Sequence, residues 1–249
     1  MKISFCTIIL NEEKNIKALI ENINEIADEI IVIDSGSTDR GLKIAKEMGV
    51  KVLYNEWIDY TSQKNFAISK ASNEWVFVLD ADERLSDELK KNIKIIKAKE
   101  TDKDGFLIAR KSFYLGKWIN HSGWYPERRI RFFKKSKGRY YGRFVHEGLA
   151  FDGKSEILSG DILHYSYKDV NDHMERLNKY SFLGAKRKKE EGKKFSFTKL
   201  FLSPFIRFIT HYIVRFGFLD GFQGFLIAVF SGYYVFLREI KLWELSKKD

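Results

Sequence analysis

Two carboxylates, Asp80 and Asp82, close the run Trp75-Val76-Phe77-Val78-Leu79. An unbroken apolar run of this length reads as a short strand buried on both faces, as in a parallel sheet. Ligands of open α/β sheets gather at the carboxyl ends of such strands. An Asp-x-Asp pair there can hold a hard divalent cation, Mg²⁺ or Mn²⁺, through oxygen, and a cation so held is a natural partner for a diphosphate. The same acids can equally cap the strand and begin a turn, since the spacing is a common one.

The elements upstream put more groups at the same edge. Ile3 to Leu10 reads as a first strand, followed by Asn11-Glu12-Glu13 as a turn and helix start. Ile16, Leu19, Ile20, Ile23 and Ile26 recur at helical steps. Glu29 to Asp34 is a second buried strand ending in an acid, and Ser35-Gly36-Ser37-Thr38-Asp39 is a turn in which Ser37 or Thr38 can cap a helix over Arg40–Met48. Gly49 closes that helix before a strand at Val50–Tyr54, and a helix over Thr61–Ser72 precedes the Trp75 strand. A helix from about Ser86 to Ala98 follows. Strand alternating with helix predicts an α/β fold, a mostly parallel Rossmann-like sheet with right-handed crossovers. Leu10-Asn11, Asp34 and Asp80-Ala81-Asp82 then share one edge, as in a nucleotide site, although no glycine-rich phosphate loop is present.

Composition narrows the partners. The 249 residues carry a formal charge of +10, which suits phosphorylated substrates, anionic lipid or nucleic acid. Cys6 is the single cysteine and lies in an apolar run, so no internal disulfide forms and a reducing compartment fits. The N-terminal apolar run is too short before Asn11-Glu12-Glu13 to read as a signal peptide.

Four blocks, Thr7–Glu13, Ile31–Asp39, Gln63–Ala67 and Leu79–Glu83, resemble the family 2 glycosyltransferases, inverting enzymes of the GT-A fold that use nucleotide-diphosphate sugars. Gly123–Pro126, Arg131–Phe133, Val145–Glu147, Leu163–Tyr165 and Leu219–Gly221 resemble one subgroup, the lipopolysaccharide core β-1,4-glucosyltransferases. The resemblance implies that Asp34 contacts ribose or base, that Asn11 and Glu12 lie in the first loop over the nucleotide, and that Lys64 lies near the nucleotide or pyrophosphate. It implies a Mg²⁺ or Mn²⁺ ion on the Asp80–Asp82 pair, Asp82 binding it directly and Asp80 reaching ribose or metal, with His164 a further metal-side group. Arg131 matches the subgroup's arginine, and Glu147 the acid of its Val-His-Glu motif. Leu10 stands where the family often has tyrosine, which leaves stacking on the base in doubt.

The middle of the chain should serve the acceptor. Asp104–Lys111 reads as a strand. Phe113, Tyr114, Trp118, Trp124 and Tyr125 suit either a sugar's apolar faces or a satellite core. Arg128, Arg129 and Arg131 can meet a pyrophosphate or an anionic acceptor, or be a solvated strand face. An inverting transfer needs a base. Glu147 is the expected one, with Asp104, Glu127 and Asp152 the other candidates.

From Val170 onward the pattern is helical, with a charge run at Lys186–Lys194, of the kind that usually forms a solvated helix end, and then Phe195–Leu245 rich in aromatic and aliphatic residues. Gly221–Leu237 carries no charge but is short for a span. Amphipathic helices in the membrane interface fit better, the basic run facing anionic headgroups of the cytoplasmic leaflet. An internal helical subdomain is the alternative. The expected organisation is a GT-A catalytic domain over residues 1–168 (nucleotide-sugar half 1–100, acceptor half 101–168) and a membrane-associating helical region over 169–249. The expected activity is metal-dependent, inverting transfer of a hexose from a nucleotide-diphosphate sugar, UDP-linked, to a lipopolysaccharide-core, other cell-surface or lipid-linked glycan. The expected place is the inner face of the cytoplasmic membrane, without nucleic acid as partner. Two other readings stand beside it: a nucleotidyltransferase of similar fold, and a basic membrane- or nucleic-acid-binding protein without catalysis.

Overall fold

The computed structural model describes residues 1–99, 101–142 and 148–247. In chain order its elements are β1 (Ile3–Ile9), α1 (Ile16–Ile23), β2 (Glu29–Asp34), α2 (Gly41–Glu47), β3 (Lys51–Tyr54), α3 (Tyr60–Ser69) and β4 (Trp75–Val78). Then come β5 (Glu83–Leu85), α4 (Asp87–Ala98), β6 (Gly105–Tyr114), β7 (Lys117–Trp118), β8 (Glu127–Lys134), β9 (Gly138–Tyr141), β10 (Gly148–Phe151) and β11 (Ser155–His164). Three longer helices close the chain, α5 (Val170–Glu190), α6 (Phe197–Ile209) and α7 (Phe222–Ser246). The chain forms two compact units, one of Met1–Arg110 with Glu127–His164, the other of Lys111–Pro126 with Tyr165–Asp249.

In the first unit the sheet order is β3-β2-β1-β4-β8-β6-β11-β5. β3, β2, β1 and β4 run parallel, and β8 and β6 continue antiparallel. Neighbouring residues face opposite sides. Phe5 stacks on Phe77 at 5.1 Å in one core, while Cys6, Val76 and Val78 pack with Ile31 and Ile33 in the other. Both faces are therefore buried, which is why these strands read as continuous apolar runs and not as alternating ones. The register pairs Ile9 with Asp34 and Cys6 with Val78. The loops after β1, β2 and β4 thus leave from one edge.

Helix ends differ from the sequence reading for local reasons. α1 starts at Ile16, because Asn11 holds φ 59°, a left-handed conformation that asparagine tolerates, and Glu12 turns the chain before the helix begins. Neither Ser37 nor Thr38 caps α2; Asp39 Oδ1 accepts from Gly41 N at 2.9 Å. α3 begins at Tyr60, since Asp59 accepts from Ser62 N at 2.7 Å. Ser86 caps α4 as its position predicts.

Of the aromatic residues expected to meet either a sugar or a core, Tyr114 and Trp124 pack in a core of the second unit, while Phe113, Trp118 and Tyr125 are half-buried outside it. Tyr114 is fully buried, with Trp124 at 5.3 Å and Tyr167 at 5.6 Å. His173 Nδ1 lies 2.8 Å from the Tyr114 hydroxyl. Asp220, 1% exposed, fastens the preceding loop: it accepts from Asn120 N, His121 N and the Ser122 hydroxyl. The uncharged stretch within α7 uses Gly224, Ala228 and Gly232, buried at four-residue steps, as a packing face. No described helix is long and apolar enough to cross a membrane.

Candidate functional site

Asp80 lies just past β4 and turns the chain, its carbonyl accepting from Glu83 N at 3.0 Å. One carboxylate oxygen faces Lys64 Nζ at 3.0 Å and the other faces Arg131 Nη2 at 3.1 Å. Lys64 and Arg131 are 1% and 3% exposed. Cations at that depth need a counter-charge, because burying one alone is very costly. Burial by itself would raise the Asp80 carboxyl; the Lys64 ammonium and Arg131 guanidinium outweigh it and hold it well below the usual carboxylate range. Asp80 is therefore ionised and occupied on both oxygens.

Asp82, two residues on, has a different environment. Its Oδ2 lies 3.3 Å from His164 Nε2, at the end of β11, which pairs with β5. A quarter of its side chain remains open to solvent. Among the described residues, no three His, Cys, Asp or Glu side chains converge as a ready-made cage. An oxygen and an imidazole nitrogen nonetheless fit a Mg²⁺ or Mn²⁺ ion that completes its shell with water and substrate phosphate, the usual manner for Mg²⁺.

The two loops before this turn are laced together. Asn11 Oδ1 accepts from Thr38 N at 2.8 Å and Asp39 N at 3.3 Å, and Asn11 N donates to Ser37 Oγ at 3.0 Å. Glu13 N donates to Asp39 Oδ2 at 2.8 Å. Glu12 accepts from Asn15 Nδ2 at 2.7 Å, which places it at the start of α1. Asp34, 3% exposed, accepts from Gly36 N at 3.1 Å and Ser37 N at 3.2 Å. A carboxylate offers about four acceptor sites, so capping this turn does not exhaust it. Leu10 is 47% exposed beside them.

A line of alternating charge leads away from Asp80. Glu83 is fully buried; its Oε2 accepts from Asp80 N at 3.0 Å, and its Oε1 lies 3.5 Å from Arg131 and 3.8 Å from Arg110. Arg110 Nη2 then meets Glu127 Oε2 at 2.7 Å, and Arg129 takes the other oxygen. Glu83 and Arg110 are absent from the sequence reading. The signal for Glu83 is its place in Asp80-Ala81-Asp82-Glu83; Arg110 has none, because only pairing of β6 with β8 brings it to Glu127.

Two of the other base candidates are weakened by their partners. Burial would raise the Glu127 carboxyl, but Arg110 and Arg129 hold it low. Lys134 and the Lys154 amide hold Asp104 low. Both are poor proton acceptors for that reason. Asp152 lines a shallow groove with Ser136, Lys137 and Arg139. His146 and Glu147 lie outside the described residues. Arg128, Arg129 and Arg131 line a cavity of about 280 Å³ with Leu107, Tyr140 and Gly148. The site residues read from sequence thus fall into an Asn11–Asp34 loop pair, an Asp80–Lys64–Arg131 cluster and an Asp82–His164 pair.

The family described as glycosyl transferase family 2 matches residues 4–151. An uncharacterized glycosyltransferase of Rickettsia typhi is 34% identical over 260 residues, covering 100% of this chain and 89% of the relative. The lipopolysaccharide core biosynthesis glycosyltransferase LpsC of Rhizobium meliloti is 31% identical over 251 residues, 98% of this chain and 93% of LpsC. Among solved structures, glucosyl-3-phosphoglycerate synthase from Mycobacterium tuberculosis, with Mn²⁺ and uridine-diphosphate-glucose, superposes with a TM-score of 0.37 at 24% identity, over 46% of this chain and 44% of that one. The nucleotidyltransferase and non-catalytic readings fall with the family match, and the chain belongs to glycosyl transferase family 2.

Proposed function

We propose that this glycosyltransferase moves a hexose from UDP, or another nucleoside diphosphate, to a hydroxyl of a lipopolysaccharide-core or related lipid-linked glycan, with inversion. The observation that carries the donor half is the Asp80 cluster. A carboxylate with a buried lysine and a buried arginine on its two oxygens is a fixed array of charges at a strand end, where a diphosphate and its cation would be received. Asp34 and Asn11 close the adjoining loops over which a nucleoside lies. The acceptor half rests on the full-length likeness to LpsC.

Asp82 and His164 would hold the divalent cation, whose contribution is to neutralise charge on the departing diphosphate. The residues of the chain do the rest. Lys64 and Arg131 fix Asp80, and the turn after β4 is thereby held in shape before substrate arrives. The acceptor oxygen attacks the anomeric carbon as the bond from that carbon to the phosphate oxygen breaks. The hydroxyl proton passes to a carboxylate on the opposite face, for which Glu147 is the proposed base. The diphosphate leaves with the bonding electron pair.

A screen of nucleotide sugars tests the reading. Purified protein is incubated with each donor, with Mg²⁺, Mn²⁺ or chelator, and nucleoside diphosphate release is followed with and without core oligosaccharide. Release from one donor that needs metal and rises with the oligosaccharide is expected. Metal-indifferent release would sink the Asp82–His164 role; release unchanged by any lipopolysaccharide-core acceptor would sink the acceptor assignment.

A further inference from the structure

Soluble proteins hide most of their large apolar side chains, and contiguous exposed apolar patches mark interaction sites. α6 reverses that pattern and has no buried residue. Phe197, Phe201 and Phe205, at four-residue steps, are 67%, 68% and 66% exposed, and Leu202 and Ile206 beside them are 54% and 59%. Phe201, Phe205, Leu202 and Ile206 share one outward arc of about 140°, with Phe197 at its edge in the first turn. The other side is the packed one. Phe208 meets Tyr212 and Phe225, and the Pro204 carbonyl sits so close to Gly232 that a Cβ there would lie 2.8 Å from it. Apolar exposure continues past the helix at Val214, Phe216, Leu219 and Phe222.

The charge along this arc is positive, and the nearest acid before it, Glu191, is paired with Lys193 at 2.6 Å. Residues 192–219 contain Lys193, Lys194, Lys199, Arg207 and Arg215 and no aspartate or glutamate. The acid that follows, Asp220, is buried and bound to its loop. A strip of phenylalanine bordered mainly by cations matches a bilayer boundary, with acyl chains beneath and anionic headgroups above. A second copy of the chain would bring the same cations against each other, and an acidic soluble partner would leave the outward phenylalanines without a use.

We infer that α6 and the turn through Phe222 seat the protein on an anionic phospholipid bilayer, the apolar arc entering the headgroup–acyl boundary and the lysines and arginines meeting lipid phosphates. Helices lie in the interface in this mode and do not cross. The inference goes beyond the transfer reaction and does not depend on it.

Flotation of the purified full-length chain tests it, with vesicles of phosphatidylcholine alone and of phosphatidylcholine and phosphatidylglycerol in equal parts. Binding to the mixed vesicles that weakens with salt is expected. Phe201→Ser with Phe205→Ser should lower partitioning by about tenfold or more, from the apolar area each ring buries. Lys194→Gln with Lys199→Gln should lower it about fivefold per charge removed, on the anionic vesicles only. Both variants change exposed residues, so circular dichroism and donor hydrolysis should match the parent. Equal flotation of the parent and the phenylalanine variant overturns the inference. So does a concentration-dependent dimer that the phenylalanine variant abolishes, without vesicle binding, since a second copy then covers the arc. A protein that floats but hydrolyses no donor keeps this surface and loses the transfer reading.

Discussion

The Asp80 edge of the first unit and the α6 arc of the second break opposite rules. At the first, ionised groups are buried: Lys64, Arg131 and Glu83 are 1%, 3% and 0% exposed. At the second, phenylalanines are out in water. The buried charges already have their partners within the chain, at 3.0 to 3.5 Å. That edge is complete before a ligand arrives, which is the preorganisation catalysis draws on. Most of the exposed arc is left uncovered by the described residues, so its free energy is recovered only when something outside covers it. An internally satisfied irregularity points to chemistry; an unsatisfied one points to docking.

The sharpest way to break the first half of this contrast is to treat the paired aspartates differently. Asp80→Ala leaves two buried cations facing each other, and removing one partner of such a cluster costs about 3–5 kcal/mol. Its melting temperature should fall markedly, along with activity. Asp82→Ala removes a partly exposed carboxylate and should keep the parent's melting temperature while abolishing transfer and metal-dependent UDP binding. An Asp80→Ala protein as stable as the parent would show the cluster contributes nothing; full turnover in Asp82→Ala would end its assignment to the metal.

Next in size is the base. Glu147→Gln should bind UDP and fold normally yet transfer sugar about 10²–10⁴-fold more slowly, the range for loss of a general base. Near-full turnover would move the search to Asp152, because Glu127 and Asp104 are held low by their cations.

Much of this was legible from sequence because it is local. Continuous apolar runs betray strands buried on both faces, and acids placed directly after them mark the edge that β1, β2 and β4 share. What sequence hid is long-range. Arg131 reaches Asp80 across 51 positions, and the surroundings of α3 gave no sign that Lys64 would sink to 1% exposure. The aromatic loop stayed ambiguous because a ring that could stack on a sugar and one that fills a core are the same residue; only packing of Tyr114, Trp124 and Tyr167 decides. The uncharged stretch in α7 reads as membrane-seeking until its glycines prove to be a packing face and the exposed arc proves to lie on α6.

Acid should separate the two units. Burial pushes the His173 imidazole from 6.5 down to about 4, with Arg176 adding to this and Asp172 opposing it. Its neighbours are apolar or aromatic: Tyr114, Trp124, Tyr167 and Phe230. A depressed histidine favours the neutral form in the folded state. Stability is fully present above 6.5 and is lost as pH falls toward about 4, since the unfolded chain binds the proton first. The expected loss between about pH 7 and pH 5 is roughly 2 kcal/mol. Asp80, shifted down from 3.8, contributes stability present above that value and lost only below it. The second unit should therefore loosen first. Urea unfolding at the two pH values should show this in the parent and a smaller response in His173→Gln, where His211, also held low by burial, still responds; equal responses in both would mean that His173 is protonated while folded.

The smallest expected effect tests whether the charged line beyond Asp80 acts on catalysis. Glu83 touches neither proposed donor nor acceptor; it holds the Asp80 amide at 3.0 Å and stands between Arg131 and Arg110. Glu83→Gln keeps the shape and one acceptor oxygen but removes the charge. Arg131 still has Asp80 and Arg110 still has Glu127, so neither guanidinium is orphaned and stability should fall by only about 1–2 kcal/mol. Arg131, relieved of one of its two acids, gains freedom to turn from the Asp80 oxygen. A positioning role then predicts kcat down about tenfold with the donor KM nearly unchanged, because an effect confined to geometry in the transition state lowers kcat and kcat/KM together. A merely structural role predicts a lower melting temperature with normal kcat in the remaining folded protein. The cycle with Arg131→Lys separates the two: if Glu83 works through Arg131, the double variant should be little slower than the slower single one, whereas independent, multiplying losses would show that Glu83 supports the fold and not the site.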